Sequence, residues 1–487
     1  MTSSPHERNL RGRLLSLLTL LFLAGCVTVG PDYKKPELEL APQWHHTEDP
    51  ALLPQAELVQ AWWVLFEDPL LDRLVAEAAQ NNRDLLTAVA RVAETRALLG
   101  FARGERLPAA EGGAEVQRIR TSENSGADLG VETLYAHALT ASWEIDLFGR
   151  IRRSVEAAHA EYQATEEERT DVMITLFSTV SLTYLDIRTN QARLAAAQAN
   201  IEAQKALLDL VQVRVDHGLA THLDLAQAQR LLAHAQAQVP PLRLAVSQGV
   251  NNLAVLLGRQ PGALSQEILN PRPIPLPPPK VTLGVPADLL RQRPDIRRAE
   301  RMLAAQTARI GVAKAALYPS FSLVGSFGNE SFDASNLLDA GSRTLSFGPS
   351  LRWNIFSGGR IRNQIKARDA LTQQALFTYE QSVLNGLREV ENALEAYTEG
   401  RIRLGALERS VTAAQESVRL ATDLYTQGLI DFQPILDARR DQLDFENQLA
   451  AARGDCAANF VRLYAALGGG WDPNQTTHTA NQGASHP

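Results

Sequence analysis

Two periodicities alternate along this chain, and the alternation occurs twice. Residues 344 to 355 switch cleanly between apolar and polar. Leu345, Phe347, Pro349, Leu351, Trp353 and Ile355 fall on one side of an extended chain, and Thr344, Ser346, Gly348, Ser350, Arg352 and Asn354 on the other. Phe321, Leu323, Gly325 and Phe327 alternate in the same way with Ser320, Ser322 and Ser326. An earlier run, Tyr135, Leu139, Ala141, Trp143 and Ile145, repeats the pattern, with His137 interrupting it. Runs of about 9–11 residues with one apolar face suit a tilted transmembrane β-strand. A half-buried soluble sheet would give the same alternation.

Beyond Arg150 the period lengthens. No Gly or Pro stands from Ile151 through His217, which predicts a helical rod on the order of 100 Å long. Leu194, Ile201, Leu208, Val211 and Val215 recur mostly at spacings of three, four and seven, as in coiled-coil packing. Dense alanine allows close approach of neighbouring helices. Taken alone, such a rod also fits a tether coiled coil, but a tether has no need of the alternating strands.

The chain repeats itself. Trp143-Glu144-Ile145-Asp146-Leu147-Phe148-Gly149-Arg150 matches Trp353-Asn354-Ile355-Phe356-Ser357-Gly358-Gly359-Arg360 at an offset of 210. Gly218-Leu219 matches Gly428-Leu429 at the same offset, and Leu256-Leu257-Gly258 matches Ala466-Leu467-Gly468. Upstream, Leu107-Pro108 matches Tyr318-Pro319 at 211. A duplicated unit follows, too long for a solenoid repeat. The first copy spans 80–262, with strands at about 108–147 and a turn at about 216–226. The second spans 291–472, with strands at about 319–357 and a turn at about 426–436. A Pro-rich linker, 263–290, separates them and cannot be helix. Residues 26–79 form an N-terminal segment, and 473–487 a flexible tail. Each copy reads as helix, strand pair, very long helix, tight turn and returning helix.

Composition narrows the function classes. A formal net charge of −7 gives no basic excess of the kind that nucleic-acid binding requires. Two cysteines, Cys26 and Cys456, imply no disulfide framework. The first 25 residues read as a targeting segment: Arg8, Arg11 and Arg13, then a short apolar run Leu14 to Leu23, then Leu23-Ala24-Gly25-Cys26. The last four residues resemble a bacterial lipobox. Cleavage would leave Cys26 as the first residue, carrying diacylglyceryl and N-palmitoyl groups. Val27 rather than Asp after the cysteine favours the outer membrane, by the rule known for enteric lipoproteins. No other stretch reaches 18 continuous apolar residues. There is no Gly-x-Ser-x-Gly, no phosphate-binding Gly-x-x-x-x-Gly-Lys-Ser/Thr and no His-Glu-x-x-His, so an enzyme is not expected. His45-His46 lacks metal partners in sequence, and no cofactor or metal is expected.

Four strands cannot close a barrel, and an open sheet edge is not tolerated in lipid. If these strands cross a membrane, several chains must share one barrel. The lipobox, Gly30-Pro31-Asp32-Tyr33 with Pro36, Trp62-Trp63 with Phe66, Asp68-Pro69-Leu70 with Leu74, Asn82 with Asp84-Leu85, and Arg293-Pro294-Asp295-Ile296 together carry a family resemblance. The chain resembles the outer membrane factor (TolC-like) family, in its lipoprotein branch that serves RND efflux pumps. That resemblance covers nearly the whole mature chain. It implies the outer membrane efflux protein fold, mainly α with a transmembrane β part. A homotrimer would share a 12-stranded β-barrel, four strands per chain, continued by an α-helical barrel into the periplasm.

The same resemblance assigns sites. The tip turns Gly218-Leu219 and Gly428-Leu429 would meet a periplasmic adaptor (membrane fusion protein), although glycine in a tight turn is sufficient reason for Gly218 and Gly428. Asp437 takes the place of a pore-narrowing acidic residue, where three copies would form a ring that concentrates cations. The simpler reading is a solvated carboxylate paired with Arg439 or Arg440. A second acidic residue one turn earlier is Pro434 here, which leaves one acidic ring or two as alternatives. Asp224 and Tyr425 match a pair that holds the family's channel shut, whereas the accompanying arginine is Ile430 here. Asp224 also reads simply as a carboxylate at a helix N-terminus.

The expected function is passive export of small toxic compounds, from the adaptor and an inner-membrane RND transporter through the outer membrane. The alternatives are an exit duct for type I polypeptide secretion or for metal ions, and, in another class, a structural helical tether lipoprotein. With three methionines the chain offers no relay for soft metals.

Overall fold

The computed structural model describes residues 28–45, 52–54, 60–120, 122, 124, 130–264, 268–283 and 292–471. The targeting segment, Cys26 and the tail 473–487 lie outside the described residues. Helices α1 (Pro69–Asn81) and α2 (Arg83–Gly104) lead into strands β1 (Ala109–Arg120) and β2 (Val131–Ile145). The 67-residue helix α3 (Arg150–Asp216) follows, then α4 (His222–Ala237) and α5 (Val239–Leu256). The second copy runs α6 (Pro294–Ala315), β3 (Ser320–Ser331), β4 (Arg343–Arg352), the 67-residue α7 (Arg360–Thr426) and α8 (Gln433–Ala466). The copies differ in the return. Gln238, followed by Val239-Pro240-Pro241, divides the first into two helices, whereas α8 runs 34 residues without a break.

The chain divides into two compact units. One comprises residues through Glu37 with 91–166 and 298–380, and it holds the sheet. Strands β1, β2, β3 and β4 pair antiparallel in that order, so β1 and β4 are its edges. Close packing here relies on small side chains. Gly311 of α6 lies where a β-carbon would meet Val29 O at 2.8 Å and the Arg153 side chain at 2.7 Å. Arg153, only 3% exposed, donates to Asp32 Oδ1 (2.7 Å) and Glu156 Oε2 (2.8 Å) and to the carbonyls of Val29 and Gly30. The Gly30-Pro31-Asp32-Tyr33 motif is thereby a strap laid on α3 and α6.

The other unit comprises 38–90, 167–297 and 381–487. The Trp62-Trp63 motif fills its interior. Trp62 is fully buried, Trp63 meets Phe177 edge-on at 5.0 Å, and Phe66 meets Phe460 at 5.2 Å. Asp68 caps α1 through Leu70 N (2.9 Å), with Pro69 at the first helical turn. The buried Tyr184 hydroxyl donates to the same carboxylate, and burial pushes its pKa up to about 12. A short parallel pair joins Leu52–Pro54 to Val281–Leu283.

Candidate functional site

The sheet sorts its side chains by face. Residues paired across antiparallel strands share a face. One face carries the rows Leu139, Phe327, Leu345; Ala141, Gly325, Phe347; Trp143, Leu323, Pro349; and Ile145, Phe321, Leu351. Leu345 and Phe347 remain 78% and 75% exposed, so among the described residues nothing covers these side chains. The opposite face carries Ser322, Ser326, Ser346, Ser350, Thr140 and Thr344 together with Glu111, Glu115, Glu132, Glu144 and Glu330. An antiparallel sheet that is bare and apolar on one side and hydrophilic on the other has the side-chain division of a transmembrane β-barrel wall. Its edges β1 and β4 have no pairing partner among the described residues. Among the described residues no helix is long and apolar enough to cross a membrane.

Trp143 Nε1 donates to Arg106 O (2.9 Å), and Trp353 Nε1 to Leu317 O (3.1 Å). Both indoles mark the end of the sheet that adjoins the helices, as aromatic side chains do at a membrane boundary. Val29 N donates to Phe148 O (3.1 Å) at that same end.

The two tip turns share one geometry. Gly218 (φ +68°) and Gly428 (φ +75°) are left-handed. Gly218 N donates to Val215 O and Leu219 N to Arg214 O, and Gly428 N and Leu429 N bind Tyr425 O and Leu424 O in the same way. These are Schellman caps, which satisfy carbonyls at the ends of α3 and α7. Leu219 and Leu429 stand out from the turns, 66% and 65% exposed.

Asp224 and Tyr425 do not hydrogen-bond to each other within the chain. Asp224 closes a capping box with Thr221, accepting from its N–H and its hydroxyl at 2.9 Å each. Tyr425 packs among Leu207, Val211, Phe432 and Ile435. Its buried hydroxyl has no well-formed hydrogen-bond partner. Arg214 covers its ring, with the guanidinium carbon 4.4 Å from the ring centre. Arg214 Nη1 also donates to Tyr425 O (3.0 Å). Burial pushes the phenol's pKa up, the Arg214 cation pulls it down, and the Asp224 carboxylate pushes it up again.

Sequence reasoning missed Arg214. Its signal was a basic residue in the last turn of a long helix, where cations favour the unpaired carbonyls. Asp437 is exposed and accepts from Gln433 Nε2 (3.1 Å). Neither Arg439 nor Arg440 pairs with it. Cys456 is buried in α8, and burial raises its thiol pKa.

The model of the outer membrane efflux protein family matches residues 74–259 and 285–469. The solvent efflux pump outer membrane protein SrpC of Pseudomonas putida is 34% identical over 474 residues, covering 95% of this chain and 99% of its own. The toluene efflux pump outer membrane protein TtgI, also from Pseudomonas putida, matches to the same extent. The solved structure of the outer-membrane channel OprN superposes with a TM-score of 0.86 at 34% identity, over 91% of this chain and 100% of that one. With its amphipathic open-edged sheet and twice-repeated helical unit, the chain belongs to the outer membrane efflux protein family and is an outer-membrane channel protein of an efflux system.

Proposed function

We propose that three copies of the chain form one passive conduit, each giving four strands to a shared 12-stranded barrel. It receives small toxic compounds from a periplasmic adaptor and an inner-membrane RND transporter. The observation that carries this reading is the four-stranded sheet with an uncovered apolar face and two open edges. A tether without a pore has no use for such a sheet. Apolar side chains standing free on helices, Phe101 on α2 and Phe377 and Leu384 on α7, add surface that neighbouring copies would cover. The relatives' names speak of solvent and toluene efflux, so apolar organic compounds are the first substrates to test. The chain performs no chemistry on what passes.

Lipid on Cys26 fits this reading. Val29 follows Cys26 by three positions, at most roughly 11 Å of extended chain. Diacylglyceryl and palmitoyl chains there would enter the membrane beside the end of the sheet that adjoins the helices. At the tips, Leu219 and Leu429 offer matched apolar contacts to the adaptor, held out by Gly218 and Gly428. The gate takes its charge from Asp437. Tyr425 and Asp224 lie close enough to couple, and Arg214 supplies the cation that Ile430 does not.

The test is drug and solvent susceptibility of a deletion strain complemented with the wild type and with Cys26→Ser. Hypersensitivity to unrelated amphiphiles, reversed by the wild type, is expected. Unchanged susceptibility with loss of one secreted polypeptide, or of tolerance to one metal, would overturn the reading in favour of a specialised duct.

A further inference from the structure

The strands of the sheet sort charge as strictly as they sort hydrophobicity. All five of their carboxylates, Glu111, Glu115, Glu132, Glu144 and Glu330, lie on the hydrophilic face. Arg118, Arg120, His137 and Arg343 lie on the apolar face. His137 and Arg343 share one row with Ala114 and Asn329. Arg118 and Arg120 stand opposite Thr133 and Val131, further toward the strand–strand connections. The remaining arginine of these strands, Arg352, is on the hydrophilic face, opposite Ser320 at the helix end. On the lipid-facing side, positive charge therefore collects at the end remote from the helices, without a carboxylate in any strand to balance it. Arg118 and Arg343 are exposed and form no ion pair among the described residues.

A cation facing lipid is costly unless an anion lies within reach. The His137 and Arg118 rows bracket the pair Val116 and Tyr135, and Val131 stands one row further out, opposite Arg120. Asn329 Nδ2 donates to Leu337 O (2.8 Å), so the connection between β3 and β4 folds back onto this face. That connection also carries the exposed Phe332 and Leu338. The surroundings are those of a headgroup boundary rather than of free solvent. The β3–β4 connection carries two carboxylates, Asp333, which accepts from Ser335 N and Oγ, and Asp339, and neither forms an ion pair with Arg118 or Arg343 among the described residues. The anion of the surrounding membrane at that depth is the phosphate of an outer-leaflet lipid, to which guanidinium groups bind in bidentate fashion.

We propose that Arg118, His137 and Arg343 form a collar that binds the phosphate groups of outer-leaflet glycolipid around the barrel. The inference rests on the barrel reading and adds a lipid ligand to it. The collar holds the sheet at a fixed depth and leaves the carboxylates to line the pore.

The test uses the full-length protein in phosphatidylcholine nanodiscs. Native mass spectrometry counts retained lipid A, or lipid A stripped of its phosphates, at rising lipid concentration. The wild type is expected to hold phosphorylated lipid A in preference to the stripped form. Arg118→Ala with Arg343→Ala should weaken retention about thirtyfold at low salt, since each arginine near an anionic surface is worth roughly fivefold. Glu330→Gln, on the opposite face, should retain the lipid. Equal retention of the stripped lipid, or by the double variant, would overturn the collar. Failure of the wild type to enter nanodiscs as an oligomer would instead count against the barrel itself, and the two failures are thereby told apart.

Discussion

Asn82 and Arg293 do the same work in the two copies with different chemistry. Asn82 Nδ2 donates to Leu256 O (2.9 Å) and Arg293 Nη1 to Ala466 O (2.8 Å), equivalent carbonyls at the ends of the returning helices. Beside them Gly258 and Gly468 bring the chain against Asn81 and Gln292, where a β-carbon would lie 2.4 and 3.1 Å from backbone atoms. Asn82 also caps α2, accepting from Asp84 N and Leu85 N at 3.0 Å. Arg293 instead recruits Asp295 and Glu389 at 2.7 Å each.

Asn82→Ala removes a cap and a long-range bond together, and should cost about 1–2 kcal/mol. Arg293→Met leaves Ala466 O without its donor. It should cost about 1–3 kcal/mol, discounted because Glu389 is half exposed. The temperature at which the folded oligomer dissociates on a gel reports both. A smaller loss for Arg293→Met than for a surface substitution such as Lys205→Met would contradict the assignment.

Gly218 and Gly258 separate two reasons for glycine. Both have positive φ, but nothing lies within 4 Å of a β-carbon at Gly218. Gly218→Asn should therefore be tolerated and Gly218→Val should cost about 1–2 kcal/mol of local strain. Gly258→Asn should fail because of the contact with Asn81 O. Protein abundance in the outer membrane distinguishes the three outcomes.

Arg214→Gln should loosen the tip by removing the cation over Tyr425. Single-channel conductance in planar bilayers is expected to rise, with more frequent openings than in the wild type. Unaltered conductance with normal assembly would assign Arg214 to packing alone. Asp437→Asn, measured in the same bilayers under a salt gradient, should move the reversal potential toward zero as cation preference falls.

Acid should loosen the N-terminal strap. Burial pushes the Glu300 carboxyl up, but Arg301 and Lys35 outweigh it and hold its pKa below the usual 4.5. A carboxylate depressed in the folded state contributes fully above its unfolded value. That contribution is lost as pH falls through the lower folded value. Protease access to the strap, unchanged above about pH 5, should rise below pH 4.5. Glu300→Gln should flatten that dependence.

Much of this was legible in the residues. The alternation at 344–355 gave the face of β4, and the matching Trp143 and Trp353 gave the duplication, because periodicity and repetition are local signals. The tip glycines were legible for the same reason. The partners of Arg214 and Arg293 were not. Each depends on helices that lie far apart in sequence, and an arginine on a helix looks the same whether it faces water, a ring or a carbonyl. Asp224 shows the converse. Its neighbour Thr221 announces the capping box three residues away, while any bond to Tyr425 awaits contacts that no local spacing encodes.

The interruption at Gln238, followed by two prolines that donate no backbone hydrogen bond, gives one hairpin of each chain a weak point that the other lacks. A ring of such chains would alternate jointed and rigid fingers. Under a common push the interrupted hairpins would yield before the continuous ones.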